Sequence, residues 1–134
     1  MLKAARVATR IPVQNLERAR RFYAERLGLQ ASEERPGGLL YRCASGEFAL
    51  FESAGVSPGT FTQMAFEVDD IDAVVAQLKQ RGLVFEDVEL PGTETRDGIT
   101  EISGNYPSKG GQGERAVWFR DADGNMLGIS QPIR

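Results

Sequence analysis

Two stretches of the chain carry apolar residues at helical spacing. In the first, Leu16, Ala19, Phe22, Tyr23 and Leu27 recur every three or four positions, which is the pattern of a helix with one face on a core. Asn15 precedes them as an N-cap, Glu17 suits the first turn, and Gly28 closes the run. In the second, Ile71, Val74, Val75 and Leu78 form the stripe, Asp70 is the cap and Gly82 the stop. Elsewhere the apolar positions alternate or fall in short blocks rich in β-branched and aromatic residues. They predict strands over Val7–Val13, from Leu29 to Glu33, and over Leu39–Cys43, Glu47–Phe51, Met64–Val68, Val84–Leu90, Ala116–Phe119 and Met126–Ser130. Pro12 marks the first as an edge or a strand end. Pro36-Gly37-Gly38 and Ser45-Gly46 read as turns.

The two halves can be laid over one another. NLERARRFYAERLGL (15–29) matches DDIDAVVAQLKQRGL (69–83), and GEFALFE (46–52) matches GNMLGIS (124–130). Each half reads as one βαβββ unit, module 1 over about residues 1–57 and module 2 over about 58–134. The expected class is α+β, one domain spanning 1–134. One helix per four strands covers only one face of each sheet, so the other face closes on a partner or lines a cavity. Residues 91–114 break the pattern with many glycines and few apolar residues. Such a long loop is either functional, here a lid over a pocket, or mobile, with a short strand at Ile99–Ile102.

Charge and composition narrow the partners. There are 16 basic and 19 acidic side chains, a net charge of -3, which argues against nucleic acid. The densest basic run, Arg18, Arg20, Arg21 and Arg26, is interleaved with acids on the first helix and reads as a solvated face. No apolar run is long enough for a membrane span, and the N-terminal stretch has no signal-peptide core, so a cytoplasmic location is expected. Cys43, the only cysteine, reads as a small buried residue. Histidine is absent. That removes the usual Ser-His and Cys-His pairs and the commonest transition-metal ligand.

VATRIPVQNLERARRFYAERLGL, QMAFEVDDIDAVVAQLKQRG and WFRDADGNMLGISQ resemble the vicinal-oxygen-chelate superfamily, which includes glyoxalase I, bleomycin-resistance proteins and extradiol dioxygenases. The resemblance implies paired βαβββ modules, each curling into half of an open barrel, with the ligand site inside and often completed across a homodimer. It also implies where a divalent metal would be held. One position, seven residues before the helix-1 cap, is Ala8. A second, opening the strand before helix 2, is Gln63. The last, four residues after the hairpin glycine Gly124, is Gly128, and its counterpart after Gly46 is Leu50. Of these only Gln63 offers a donor, and a neutral amide alone is a weak ligand. Glu52 shares a strand face with Leu50, and Glu67 with Gln63, because side chains alternate with period 2, which leaves a Gln63-Glu52 or Gln63-Glu67 site open as the alternative. Asp121 and Asp123 read as turn formers.

Period-2 alternation and the resemblance together predict the cavity lining: Ala8 and Arg10, then Gln63, Ala65 and Glu67, then Ala116 and Trp118, and finally Met126, Gly128 and Ser130. Phe48 and Leu50 are expected to do the same in module 1. An inward Arg10 needs a counter-charge, either Glu67 or another acid, or an anionic ligand. Three functions follow. The first is a protein of the bleomycin-resistance type that binds a small organic molecule in an apolar cavity without a cofactor. The second is a metal-dependent lyase or dioxygenase with displaced ligands. The third is a metal-free isomerase or hydrolase with Glu67 or Glu52 as general base.

Overall fold

The structure is a computed structural model that describes residues 1–88 and 93–134. Its elements run β1 Thr9–Val13, α1 Leu16–Leu27, β2 Glu33–Arg35, β3 Gly38–Arg42, β4 Glu47–Glu52, β5 Thr62–Glu67, α2 Ile71–Gln80, β6 Phe85–Glu86, β7 Glu94–Arg96, β8 Ile99–Ser103, β9 Gly113–Arg120 and β10 Met126–Ile133. Short 3-10 turns lie at Leu2–Ala4 and Pro107–Lys109. The first sheet has the order β1-β4-β3-β2 and the second β5-β10-β9-β8-β7, with β6 also on β9. The two orders correspond, so the repeat read in the sequence is a repeat of topology. β1 and β5 pair in parallel with β4 and β10, and the other pairings are antiparallel. Two helices on two open mixed sheets make an α+β fold. Among the described residues no helix is long and apolar enough to cross a membrane.

The local signals act as expected at both helices. Asn15 accepts a hydrogen bond from the Arg18 amide (2.9 Å), and Gly28 adopts a left-handed φ of 69°. Asp70 accepts from the Ala73 amide (3.1 Å). Both caps satisfy amides that a helix leaves unpaired.

One side of each sheet carries its helix. On the first sheet this helix face presents Ile11, Val13, Leu39, Tyr41, Phe48 and Leu50, all buried. Tyr23 of α1 packs on Tyr41 and Phe48, with ring centroids 5.5 and 6.0 Å away. On the second sheet Val117, Phe119, Leu127 and Ile129 face α2. Phe48 meets Phe66 edge-on at 5.8 Å, so the two helix faces share one core.

Several expectations need correction. The strand expected from Leu29 to Glu33 begins only at Glu33. The Leu29 amide is spent on the Tyr23 carbonyl at the end of α1 (2.9 Å), and ladder bonds start at Ser32. Val7 is solvent-exposed, and β1 starts at Thr9. Of the strand expected over Val84–Leu90, Phe85 and Glu86 pair with β9, and its last residues lie outside the described ones, as do Pro91 and Gly92. The rest of the glycine-rich segment holds a hairpin, β7–β8, turning at Asp97-Gly98. Cys43 is exposed rather than buried, because the chain leaves the sheet after Arg42 into the turn to β4.

Candidate functional site

The sheet faces turned away from the helices are open, and they carry most of the expected site residues. On the first sheet the register lays this face out in two cross-strand rows. One row is Arg10, Ala49, Leu40 and Glu33, and the next is Pro12, Phe51, Gly38 and Arg35. A cavity of about 270 Å³ opens over them, lined wholly by residues between Ala8 and Phe51. Its middle is apolar (Leu40, Ala49, Phe51), and an arginine stands on each edge strand.

The charges around this cavity are unevenly matched. Arg42 pairs with Glu33 and Glu47, and Arg20 pairs with Glu34 at 2.6 Å. The hydrogen bond to Glu34 holds the Arg20 guanidinium above its ordinary pKa. Arg10 and Arg35 have no ion-pair partner among the described residues. Arg10 is exposed, so it needs no protein counter-charge, and the expected pairing with Glu67 is not made. Glu67 accepts instead from Lys109 Nζ at 2.9 Å.

Phe48 and Leu50 do not share this face with Arg10. Phe48 is stacked on Tyr41, with centroids 5.0 Å apart, and Leu50 is fully buried beneath the cavity floor. The reason is one residue of turn. The loop between β3 and β4 spans 43–46, whereas that between β9 and β10 spans 121–125. Counting from each loop's glycine therefore lands on opposite faces, because a one-residue slip inverts a strand. The residues that occupy the open face are Ala49 and Phe51. The turn lengths were the signal that would have found them. Phe48 does border a second cavity, of about 470 Å³, between the modules, together with Thr9, Phe66, Glu67 and Lys109.

On the second sheet the expected face is the observed one. Gly128 lies in register between Ala65 and Trp118. A Cβ placed on Gly128 would sit 3.5 Å from the Ala65 Cβ and 3.6 Å from Trp118 Cδ1, in ordinary contact. Trp118 Nε1 donates to Thr62 Oγ1 (3.1 Å), which fixes the indole across the sheet. Met126 is 9% exposed beside it. The β5–β10 register steps by one residue at Gln63, which has no partner on β10. Gln63 Oε1 is buried and accepts no hydrogen bond among the described residues.

These residues do not fit a divalent metal. Ala8 and Gly128 have no donor atom, and Leu50 lies in the core. Glu67 is held by Lys109, and Glu52 stands in register with Val13 at the exposed end of β4. Among the described residues no three His, Cys, Asp or Glu side chains come together. A hard cation takes several oxygens, and here Gln63 supplies one neutral oxygen.

The acids of the last hairpin have another task. Asp121 Oδ1 accepts from the amides of Asp123 (2.9 Å) and Asn125 (3.0 Å), which is the turn-forming role expected of it. Its Oδ2 accepts from Tyr23 Oη (2.8 Å) and Asn125 Nδ2 (2.9 Å). Asp123 Oδ1 accepts from the Gln14 amide (2.9 Å) and Arg18 (2.6 Å), and Asn125 also donates to the Pro12 carbonyl (2.8 Å). The turn thus clamps the β1–α1 corner of module 1 onto module 2. Arg18, expected on a solvated face, is part of that clamp. Burial, with the Asp121 charge beside it, pushes the Tyr23 hydroxyl well above its ordinary pKa.

Comparison with known proteins places the chain. The family model described as the Glyoxalase/Bleomycin resistance protein/Dioxygenase superfamily matches residues 4–129. Among solved structures, the chain is similar to TnmS3, an antibiotic binding protein from Streptomyces sp. CB03234. The two are 25% identical, with 94% of this chain and 93% of that one covered and a TM-score of 0.64. It is also similar to a glyoxalase/bleomycin resistance protein/dioxygenase from Alicyclobacillus acidocaldarius (18% identity, 98% and 93% covered, TM-score 0.66). A third is a glyoxalase family protein from Bacillus anthracis (18%, 94% and 93%, 0.66). No protein in the comparison with curated sequences matches the chain.

Proposed function

The chain belongs to the glyoxalase/bleomycin resistance protein/dioxygenase superfamily, and from that premise we propose that it binds a small organic molecule without a catalytic metal. Gly128 carries the reading. At a position where the superfamily resemblance implies a coordinating glutamate, the chain has no side chain, and the space lies between Ala65 and Trp118. An apolar wall with one ordered indole and a few polar groups suits a small-molecule site. Binding draws on release of water from Trp118, Met126, Leu40 and Phe51, with Arg10 as a polar anchor. The likeness to an antibiotic binding protein supports the same class of ligand. The reading takes the protein as a homodimer in which a second copy covers the open faces.

The test is a thermal-shift screen of chelator-treated protein against natural products and antibiotics, followed by Trp118 fluorescence titration. A ligand that binds only the folded state stabilises it by RT ln(1 + c/Kd) at free ligand concentration c, so the melting temperature rises with the logarithm of ligand concentration above Kd. Chemical turnover of a bound compound by metal-stripped protein contradicts the reading.

One observation favours a second reading, a lyase or dioxygenase with displaced metal ligands. The buried Gln63 Oε1 has no partner among the described residues, and a buried acceptor of this kind is costly until something donates to it or coordinates it. Titration calorimetry with nickel, zinc, manganese and iron separates the two. Stoichiometric binding that Gln63→Leu abolishes supports the metal reading, and no heat with any of the four removes it.

A further inference from the structure

The open face of module 1 has a feature that a purely apolar pocket does not require. Its two edge strands each bring an arginine with no ion-pair partner among the described residues, Arg10 on β1 and Arg35 on β2. The three glutamates around the cavity are engaged by Arg20 and Arg42. Between the two arginines lie only Ala49, Leu40, Phe51 and Gly38 in the two register rows. The edges of a four-stranded sheet are roughly 14 Å apart, the span of a two- or three-ring aromatic body with polar groups at its ends.

Gly38 is the second observation. A Cβ there would lie 3.0 Å from Arg35 Nε and 3.3 Å from its Cγ. Arg35 is therefore laid across the sheet in the space that any other residue at 38 would fill. The missing side chain leaves the Arg35 side chain room to lie over Gly38, which stands in register with Phe51. A guanidinium presents a planar fork of donors that matches a carboxylate or sulfonate.

Resting on the small-molecule-binding reading, we infer that the ligand of the module 1 face is an aromatic organic anion. Its rings lie on Leu40, Ala49 and Phe51, an acid group at one end is held by Arg10 and an acid group at the other end by Arg35, and Gly38 positions Arg35. The two arginines supply the attraction and the apolar rows supply the area.

The experiment compares an acid with its neutral twin. Naphthalene-2,6-dicarboxylate and its neutral diamide are titrated into the full chain by calorimetry, with backbone amide shifts recorded in parallel. The acid binds about tenfold or more tightly than the amide, as expected for a charge-assisted contact, and its advantage shrinks as salt is raised. The shifts centre on Arg10, Leu40, Ala49 and Phe51. Arg10→Gln and Arg35→Gln each cut the acid's advantage and leave the amide's affinity unchanged. Gly38→Ala keeps the melting temperature of the wild type within a few degrees and lowers the acid's advantage less than Arg35→Gln does, because its methyl shifts Arg35 by only a few tenths of an ångström. Equal affinity for acid and amide, an advantage that survives either arginine substitution, or the absence of shifts at Arg10, Leu40, Ala49 and Phe51 overturns the inference. If neither naphthalene binds while a neutral compound from the screen does, the anion inference falls and the binding function stands. If no compound in the screen binds, the binding function itself falls.

Discussion

Replacing Tyr23 with Phe removes one oxygen from the clamp between the modules and leaves the packing in place. The ring keeps its contacts with Phe22, Tyr41 and Phe48. What is lost is the 2.8 Å bond to Asp121 Oδ2, which retains Asn125 Nδ2 as its other donor. A hydrogen bond to a buried charged group contributes about 1.5–3 kcal/mol. For a chain of this length that lowers the melting temperature by roughly 5–10 °C. Urea unfolding at pH 7, followed by far-UV circular dichroism and Trp118 fluorescence, measures it. The pH dependence adds a second constraint. Tyr23 titrates above its ordinary value of 10.0 in the folded state, so above that pH unfolding releases a proton that the folded protein keeps. The contribution is fully present below pH 10 and is lost as pH rises toward the folded pKa. Phe cannot titrate, so the gap between wild type and variant narrows in alkali. A variant within about 0.5 kcal/mol of wild type at pH 7, or a gap that widens with pH, refutes the assignment of Tyr23 as a donor to a buried carboxylate.

Two further outcomes follow from local geometry. Gly59→Ala places a methyl 2.6 Å from the Gly124 carbonyl at a φ of 67°. It costs at least about 1–3 kcal/mol in the same urea assay, and a neutral result rejects the close approach of the 59 region to the last hairpin. Cys43 lies exposed in the β3–β4 turn, so the folded protein reacts with Ellman's reagent as fast as the urea-unfolded chain; protection in the folded state contradicts the turn's placement.

The sequence made the helices legible because their signals are local. Asn15, Asp70 and Gly28 act on amides and carbonyls within a few residues, so no knowledge of the fold was needed to read them. The pattern at the Asp121–Asn125 turn was legible for the same reason, but its partners Tyr23, Arg18 and Gln14 lie about a hundred residues away in the chain. Only the docking of one module on the other brings them together. The face of a strand is legible when its register is anchored. Trp118, Ala65 and Gly128 were placed correctly on the open face. Phe48 and Leu50 were inverted because two turns taken as equivalent differ by one residue. Arg35 went unread, and Gly38 was read only as part of a turn, because their meaning lies in a cross-strand pairing, which a single strand's pattern does not contain. The hairpin β7–β8 was announced by Asp97-Gly98 inside TRDGIT, a two-residue turn signal hidden by the surrounding glycines.

On the proposed reading, the missing side chain at position 128 makes room for a small organic ligand. The direct measurement is the ligand-induced thermal shift of Gly128→Leu beside that of the wild type, using the strongest compound from the screen. A Cβ at 128 meets its neighbours at ordinary distances, and the folding of the variant is read from its own cooperative melt before any ligand is added. Its leucine fills the space against Trp118, and the ligand-induced shift seen in the wild type is lost. A variant that folds and retains the full shift contradicts the account.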